Sequence, residues 1–309
     1  MRFVNLPSPV QLVFDPFLEK MKVELLVKRE DLIHPELGGN KWRKLKYNLE
    51  EARTSASRYL VTFGGAYSNH IFAVAAAGKY HHFQTIGFIR GEEALPLNPT
   101  LRFARSCGME LRYLDRHSYR KKEEPDFLKS LEADLPEKIF WVPEGGTNVL
   151  ALKGVEEMAH ELRFQTKENP VDFVAVAAGT GGTAAGLIRG LSGETTRTLV
   201  FPALKGTFMA DNISKWLDSE KSANWEISTD YHFGGFARFN DELIDFINKF
   251  KAHSNIPLDP LYTGKLFFGL YDLIRKGYFQ KGTRILAVHT GGLQGIAGFN
   301  ERFGQVLDE

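Results

Sequence analysis

Eight short apolar runs punctuate this chain, at 23–27, 59–63, 85–89, 111–114, 139–142, 171–178, 199–204 and 284–289. Helical spacing resumes between most of them, as in Trp42, Leu45, Leu49 and Ala52, or His70, Val74 and Ala77. Runs this apolar suit strands buried on both faces, and strands alternating with helices predict βαβ units in mostly parallel sheets. The run at 171–178 is the cleanest, apolar except for Asp172. It leads into Gly179-Thr180-Gly181-Gly182-Thr183.

Three other runs end in turns of the same style. These are Gly64-Gly65-Ala66-Tyr67-Ser68-Asn69-His70, Glu144-Gly145-Gly146-Thr147-Asn148 and His289-Thr290-Gly291-Gly292. Ligands of parallel α/β sheets sit beyond the carboxyl ends of the strands. Glycine lets backbone N–H groups come close to a ligand, and Ser, Thr and Asn add short polar groups. Any one such turn also fits a tight strand-to-helix connection. Four of them predict a shared site.

At 309 residues the chain exceeds what one core usually organises, so two domains are expected. A net charge of +1 gives no global field for nucleic acid or an anionic membrane. No apolar run approaches a membrane-spanning length, and residues 1–7 are too short and broken for a signal peptide. Cys107 is the only cysteine, which excludes intrachain disulfides and thiolate clusters and fits a cytoplasmic setting. The nine histidines are scattered without ligand spacing, so no metal is expected.

Gly38-Gly39-Asn40-Lys41-Trp42-Arg43-Lys44 is a helix start of unusual charge. Asn40 is the expected N-cap, which puts Lys41, Arg43, Lys44 and Lys46 in the first turns, where cations are disfavoured. A bound anion would relieve that conflict, because a helix N-terminus is an anion site. Solvated lysines are the plain alternative. The glycines at 179–183 lack G-x-G-x-x-G spacing, and the strand at 199–204 ends without a ribose-binding carboxylate. A nicotinamide dehydrogenase is therefore a remote reading, and no P-loop is present. One phosphate monoester, a lysine and hydroxyl-bearing loops together suggest pyridoxal phosphate (PLP).

On these motifs, with Lys28-Arg29-Glu30-Asp31 and Asp259-Pro260-Leu261-Tyr262-Thr263-Gly264-Lys265, the chain resembles the fold-type II PLP enzymes, the tryptophan synthase β superfamily. Within it, the chain is similar to the 1-aminocyclopropane-1-carboxylate (ACC) deaminase and D-cysteine desulfhydrase family. The resemblance implies two α/β domains, each a mostly parallel twisted sheet flanked by helices. Residues 1–47 with 156–309 would form the larger, 48–155 the smaller, with PLP in the cleft, and two chains would form a homodimer.

It also implies roles. Lys41 would bind the cofactor aldehyde covalently. Lys44 and the loop of Thr180, Gly181, Gly182 and Thr183 would hold the phosphate. Asn69 would meet the ring hydroxyl and Thr290 the pyridine nitrogen. Ser68 would bind the substrate carboxylate, and Tyr262 would stand near the substrate amine. Arg43 and Lys46 receive no role and are left to solvent. Read without the family, Ser68 and Asn69 also fit helix capping, and Tyr262 fits a core tyrosine.

Three positions depart from the family pattern: Thr263 where ACC deaminases carry Glu against the ring nitrogen, Phe236 where a second tyrosine is usual, and Tyr67 in place of Gln. A hydroxyl at 263 leaves a weaker electron sink, which suits β-elimination with a good leaving group. The expected reaction is α,β-elimination from a small amino acid such as D-cysteine, giving pyruvate, ammonia and sulfide. ACC deamination to 2-oxobutanoate and ammonia is the alternative. A PLP-binding protein without efficient catalysis is a third reading.

Overall fold

The computed structural model describes residues 4–217 and 224–308; residues 1–3, the start of the segment weighed against a signal peptide, lie outside them. Among the described residues, ten strands form two sheets. The first holds β1 (Val10–Leu12), β2 (Glu24–Arg29), β7 (Phe173–Ala178), β8 (Arg197–Pro202), β9 (Trp225–Ile227) and β10 (Arg284–His289). Its order is β1-β2-β10-β7-β8-β9, parallel except for β1. The second holds β3 (Tyr59–Gly65), β4 (Gln84–Arg90), β5 (Met109–Leu114) and β6 (Ile139–Val142), in the all-parallel order β5-β4-β3-β6. All eight expected runs are strands. The edge strands β1 and β9 are three residues each, too short to show a period.

Among the described residues, twelve α-helices connect and cover the sheets. In chain order they are α1 (Pro16–Met21), α2 (Gly39–Thr54), α3 (Asn69–His81), α4 (Pro99–Ser106), α5 (Arg116–Arg120), α6 (Pro125–Glu132), α7 (Val149–Gln165), α8 (Gly182–Gly190), α9 (Phe208–Ser214), α10 (Asp241–Ser254), α11 (Thr263–Arg275) and α12 (Gly295–Phe303).

The period of two along each strand sorts its side chains between two cores. In β7, Ala175 and Ala177 join the core under α10 and α11, while Val174, Val176 and Ala178 join the core under α7 and α8. In β3, Leu60 packs with α2 and α3, and Val61 and Phe63 face Tyr119 on the other side. Burial on both faces is why these runs read as nearly continuous hydrophobic sequence.

The expected boundaries at 47/48 and 155/156 fall within α2 and α7. Both helices serve both halves of the molecule. The N-terminus of α2 docks on the end of β10, where Asn40 N donates to Thr290 O at 3.1 Å. Its later residues Leu45, Leu49 and Ala52 belong to the core of the smaller sheet. Helix α7 crosses α2 so closely that a Cβ on Gly154 would lie 1.9 Å from Arg43 O. Only glycine permits that crossing.

Candidate active site

Four strand ends deliver the glycine turns to one place. Asn40, one residue before Lys41, links two of them to α2. Its amide Nδ2 donates to Thr183 Oγ1 at 2.9 Å, and its Oδ1 accepts from Lys41 Nζ at 3.2 Å. Asn40 is therefore not the N-cap expected from sequence. Gly38 occupies that position at φ 62°, and the helix begins at Gly39. The reason is steric: a Cβ on residue 39 would stand 2.2 Å from Thr290 O, so the chain turns earlier and releases the Asn40 side chain to the site.

Lys44 lies one turn on from Lys41, on the same face. Its Nζ donates to Gly145 O and Thr147 Oγ1, both at 3.0 Å, and reaches Thr180 Oγ1 at 3.5 Å. Thr147 and Thr180 share a 2.8 Å hydrogen bond. These partners are all neutral, and burial holds the Lys44 amine well below its ordinary pKa, helped by repulsion from Lys41. Helix α8 begins beside it at Gly182, with Gly181 as N-cap and no side-chain cap. A buried cation without an anion, two hydroxyls and an open helix N-terminus together fit a phosphate group. Thr147 belongs to this set although the sequence reading gave it no role. Its signal was its place in a ligand-facing turn, beside two glycines.

Ser68 is the N-cap of α3, and Oγ accepts from His70 N and Ile71 N at 3.2 and 3.3 Å. Capping uses its lone pairs and leaves its proton free to donate to a carboxylate. Asn69 stands against the turn after β10, where a Cβ on Gly292 would meet Asn69 Nδ2 at 2.8 Å. His70, next in the chain, is buried and held neutral by burial and by Lys41 and Lys44. Thr62 Oγ1 donates to Val142 O, so His70 Nε2 must donate to Thr62 Oγ1, both at 2.8 Å. His70 Nδ1 lies toward the Pro143 backbone without a well-formed hydrogen bond among the described residues.

Tyr262 packs against Gly179, whose added Cβ would lie 3.1 Å from the tyrosine ring. Burial, with Asp259 and Glu144 nearby, raises its phenol pKa, so it stays protonated and acts as a donor. The buried Asp259, which opens the 259–265 motif but receives no role from it, is the organising residue here. Its Oδ1 accepts from Leu261 N and Tyr262 N at 2.9 and 2.8 Å, and Oδ2 from Thr263 N and Thr263 Oγ1 at 2.9 and 2.7 Å. Thr263 is fully buried with its hydroxyl proton spent on Asp259. The hydroxyl of Thr263, expected to meet the cofactor, donates to Asp259 in this structure. Thr290 retains some exposed surface in the turn that docks α2.

Arg43 and Lys46 are not left to solvent. Lys46 pairs with Glu157 at 2.7 Å. Arg43 is fully buried, bonded to both oxygens of Glu30 at 2.9 Å and to Glu161 at 2.7 and 2.8 Å. Lys28 completes a charge-balanced cluster through Glu161 at 3.0 Å.

Burial pushes the Lys41 amine down to about 8, against the opposing pull of Asp259. A depressed lysine pKa increases the neutral, nucleophilic fraction at lower pH. Capture of PLP by the cofactor-free protein is thus expected to accelerate about tenfold per pH unit below 8 and to level off above it. Stopped-flow absorbance across pH 6–10 checks this; a rise that continues to pH 10 refutes the low pKa.

The fold and this arrangement give an α/β protein with a buried lysine of lowered pKa beside a cluster that fits a phosphate group. The pyridoxal-phosphate dependent enzyme family matches residues 6–291. A Pyrococcus horikoshii protein named "Putative 1-aminocyclopropane-1-carboxylate deaminase" is 33% identical over 92% of this chain and 89% of its own. The bifunctional D-cysteine desulfhydrase/1-aminocyclopropane-1-carboxylate deaminase of Arabidopsis thaliana mitochondria is 30% identical over 94% of this chain and 78% of its own. The crystal structure of an ACC deaminase homologue superposes with a TM-score of 0.86 at 30% identity, covering 99% of this chain and 96% of that one. The chain belongs to the pyridoxal-phosphate dependent enzymes, in the ACC deaminase and D-cysteine desulfhydrase family. No helix among the described residues is long and apolar enough to cross a membrane.

Proposed function

We propose that this enzyme eliminates hydrogen sulfide from a small amino acid of the D-cysteine type, with pyruvate and ammonia as the other products. When bound, PLP supplies the electron sink that lets an amino acid lose its α-proton. Lys41 would hold PLP and, as a free amine, would take the proton from the substrate Cα. Ser68 would fix the substrate carboxylate through its hydroxyl proton, which capping leaves free. Tyr262 would donate its phenolic hydrogen bond near the reacting amine. The Cα–H electrons then form the double bond as the Cβ–S bond breaks and sulfide leaves. Hydrolysis of the released enamine takes up one water and gives pyruvate and ammonia.

One observation carries the choice of reaction. The carboxylate of Asp259 accepts four hydrogen bonds from its own turn, one of them from the hydroxyl of Thr263, the residue that the resemblance aligns with a cofactor-facing Glu. Thr290, a neutral hydroxyl, is then the partner left for the ring nitrogen. A neutral partner favours a substrate whose leaving group departs readily. ACC, which has no α-hydrogen, is the second reading; the Pyrococcus relative's name gives that activity alone and the Arabidopsis name gives both.

Purified enzyme assayed with D-cysteine, L-cysteine, ACC and D-serine decides between them. D-cysteine should give sulfide and pyruvate in equal amounts, with ACC at least tenfold slower, a gap of about 1.4 kcal/mol in barrier. Release of 2-oxobutanoate from ACC at the D-cysteine rate would sink the elimination reading. The homodimer, the cytoplasmic setting and the smaller unit at 48–155 are part of the same proposal, supported by the resemblance and the single Cys107.

A further inference from the structure

Lys265 is buried inside α11 with no carboxylate bonded to it. Its Nζ donates to two backbone carbonyls, His232 O at 2.9 Å and Gly235 O at 2.8 Å. Both acceptors lie in the loop 232–238, which leaves the ordinary backbone regions four times. Phe233, Gly234, Gly235 and Ala237 have φ of 53°, 92°, 121° and 56°. Positive φ at a phenylalanine and an alanine persists only where surrounding contacts impose it.

Three contacts with α11 impose it here. Tyr231 OH donates to Asp272 at 2.8 Å, the rings of Phe233 and Phe268 meet edge to face at 5.0 Å, and the Lys265 ammonium holds the middle of the loop. The residue presented by this arrangement is Phe236. Its ring stands 6.0 Å from that of Tyr262, and it is 46% exposed. Tyr262 lies three residues before Lys265, so both ends of the Phe236–Tyr262 contact are set by one turn of α11.

We propose that Lys265 is a positioning residue that latches the 232–238 loop onto α11 and so places Phe236 as the wall of the substrate space beside Tyr262. The effect on turnover rests on the reading of Tyr262 given above, whereas the latch itself does not. Burying an ammonium is costly: it pushes Lys265 down to about 8, opposed by Asp259. Its Coulombic partner lies in the turn that sets Tyr262, and its donors go to the loop that sets Phe236. The two carbonyls each keep one other partner, Gly235 N and Arg238 N, so the loop can lose the lysine without leaving either oxygen bare. That makes Lys265→Met a test of the latch rather than of folding.

Hydrogen exchange of the PLP-loaded enzyme tests the latch without any substrate. In Lys265→Met, protection of a peptide spanning 231–240 should fall roughly tenfold, with the α2 peptide unchanged. Lys265→Gln, which keeps two N–H donors, should recover part of the protection. PLP absorbance and its borohydride capture at Lys41 should match the parent, while kcat/KM falls roughly ten- to hundredfold for whichever amino acid the panel shows to react. In a Phe236→Ala background the same Lys265→Met change should cost less than about threefold, because the placed residue is gone. Unchanged exchange in both variants overturns the latch whatever the substrate. Full additivity with Phe236→Ala, or PLP lost in step with activity, overturns the positioning role. Reduced protection with no reactive amino acid in the panel upholds the latch and rejects only the substrate reading.

Discussion

Lys41→Ala is expected to lose covalent PLP attachment completely and to lower kcat by roughly 10²- to 10⁴-fold, the span for a positioned proton-transfer group. Unfolding would not explain the loss. Nζ of Lys41 has one protein hydrogen bond, to Asn40, and its burial already works against its charge. Removing it relieves a desolvation cost, and Asn40 keeps its bond to Thr183. Borohydride reduction followed by peptide mapping reads the attachment, and thermal unfolding reads the fold. Reduced PLP on Lys44 or Lys265 in the parent enzyme would reassign the site.

Lys44→Met should move two measurements in opposite directions. Affinity for PLP falls about 100-fold or more, corresponding to about 3 kcal/mol for a charged hydrogen-bonded contact to phosphate. The cofactor-free protein, in contrast, keeps or gains stability. Without phosphate the Lys44 ammonium faces only Gly145 O and the two threonine hydroxyls, and burial already depresses its pKa. An apolar chain of similar length removes that unpaired ion. Equilibrium titration with PLP and melting of the cofactor-free protein give both values. A lower melting temperature with unchanged PLP affinity would make Lys44 a structural residue.

Much of the fold is legible because buried parallel strands write themselves as apolar runs. Strand β7 shows this best, with alternate residues feeding cores on its two faces. Strands β1 and β9 leave no such trace, since three residues at a sheet edge take their register from a neighbour. The lysines and glycine turns of the site were legible as motifs, but the partners within them were not. Asn40 reads as a cap because Asn commonly caps helices, yet the closeness of Thr290 O to Gly39 shifts the start of α2. Arg43 reads as a surface charge because its partners Glu30 and Glu161 lie 13 and 118 residues away. Asp259 and Thr147 carried weak signals for the same reason. Their chemistry is ordinary in sequence and becomes specific only when distant turns converge.

The Arg43 cluster has a mechanical consequence. Glu30 follows β2 of the larger sheet and Glu161 lies on α7, so the guanidinium bolts the buried flank of α2 to both. The N-terminal end of α2 is docked on Thr290, and its far half is packed into the smaller sheet's core. A lever fixed at one end and loaded at the other cannot roll about its own axis. Lys41 and Lys44 sit at its anchored end. The Lys41 and Lys44 amines thus share one segment of α2 that is held at Thr290 and at Arg43.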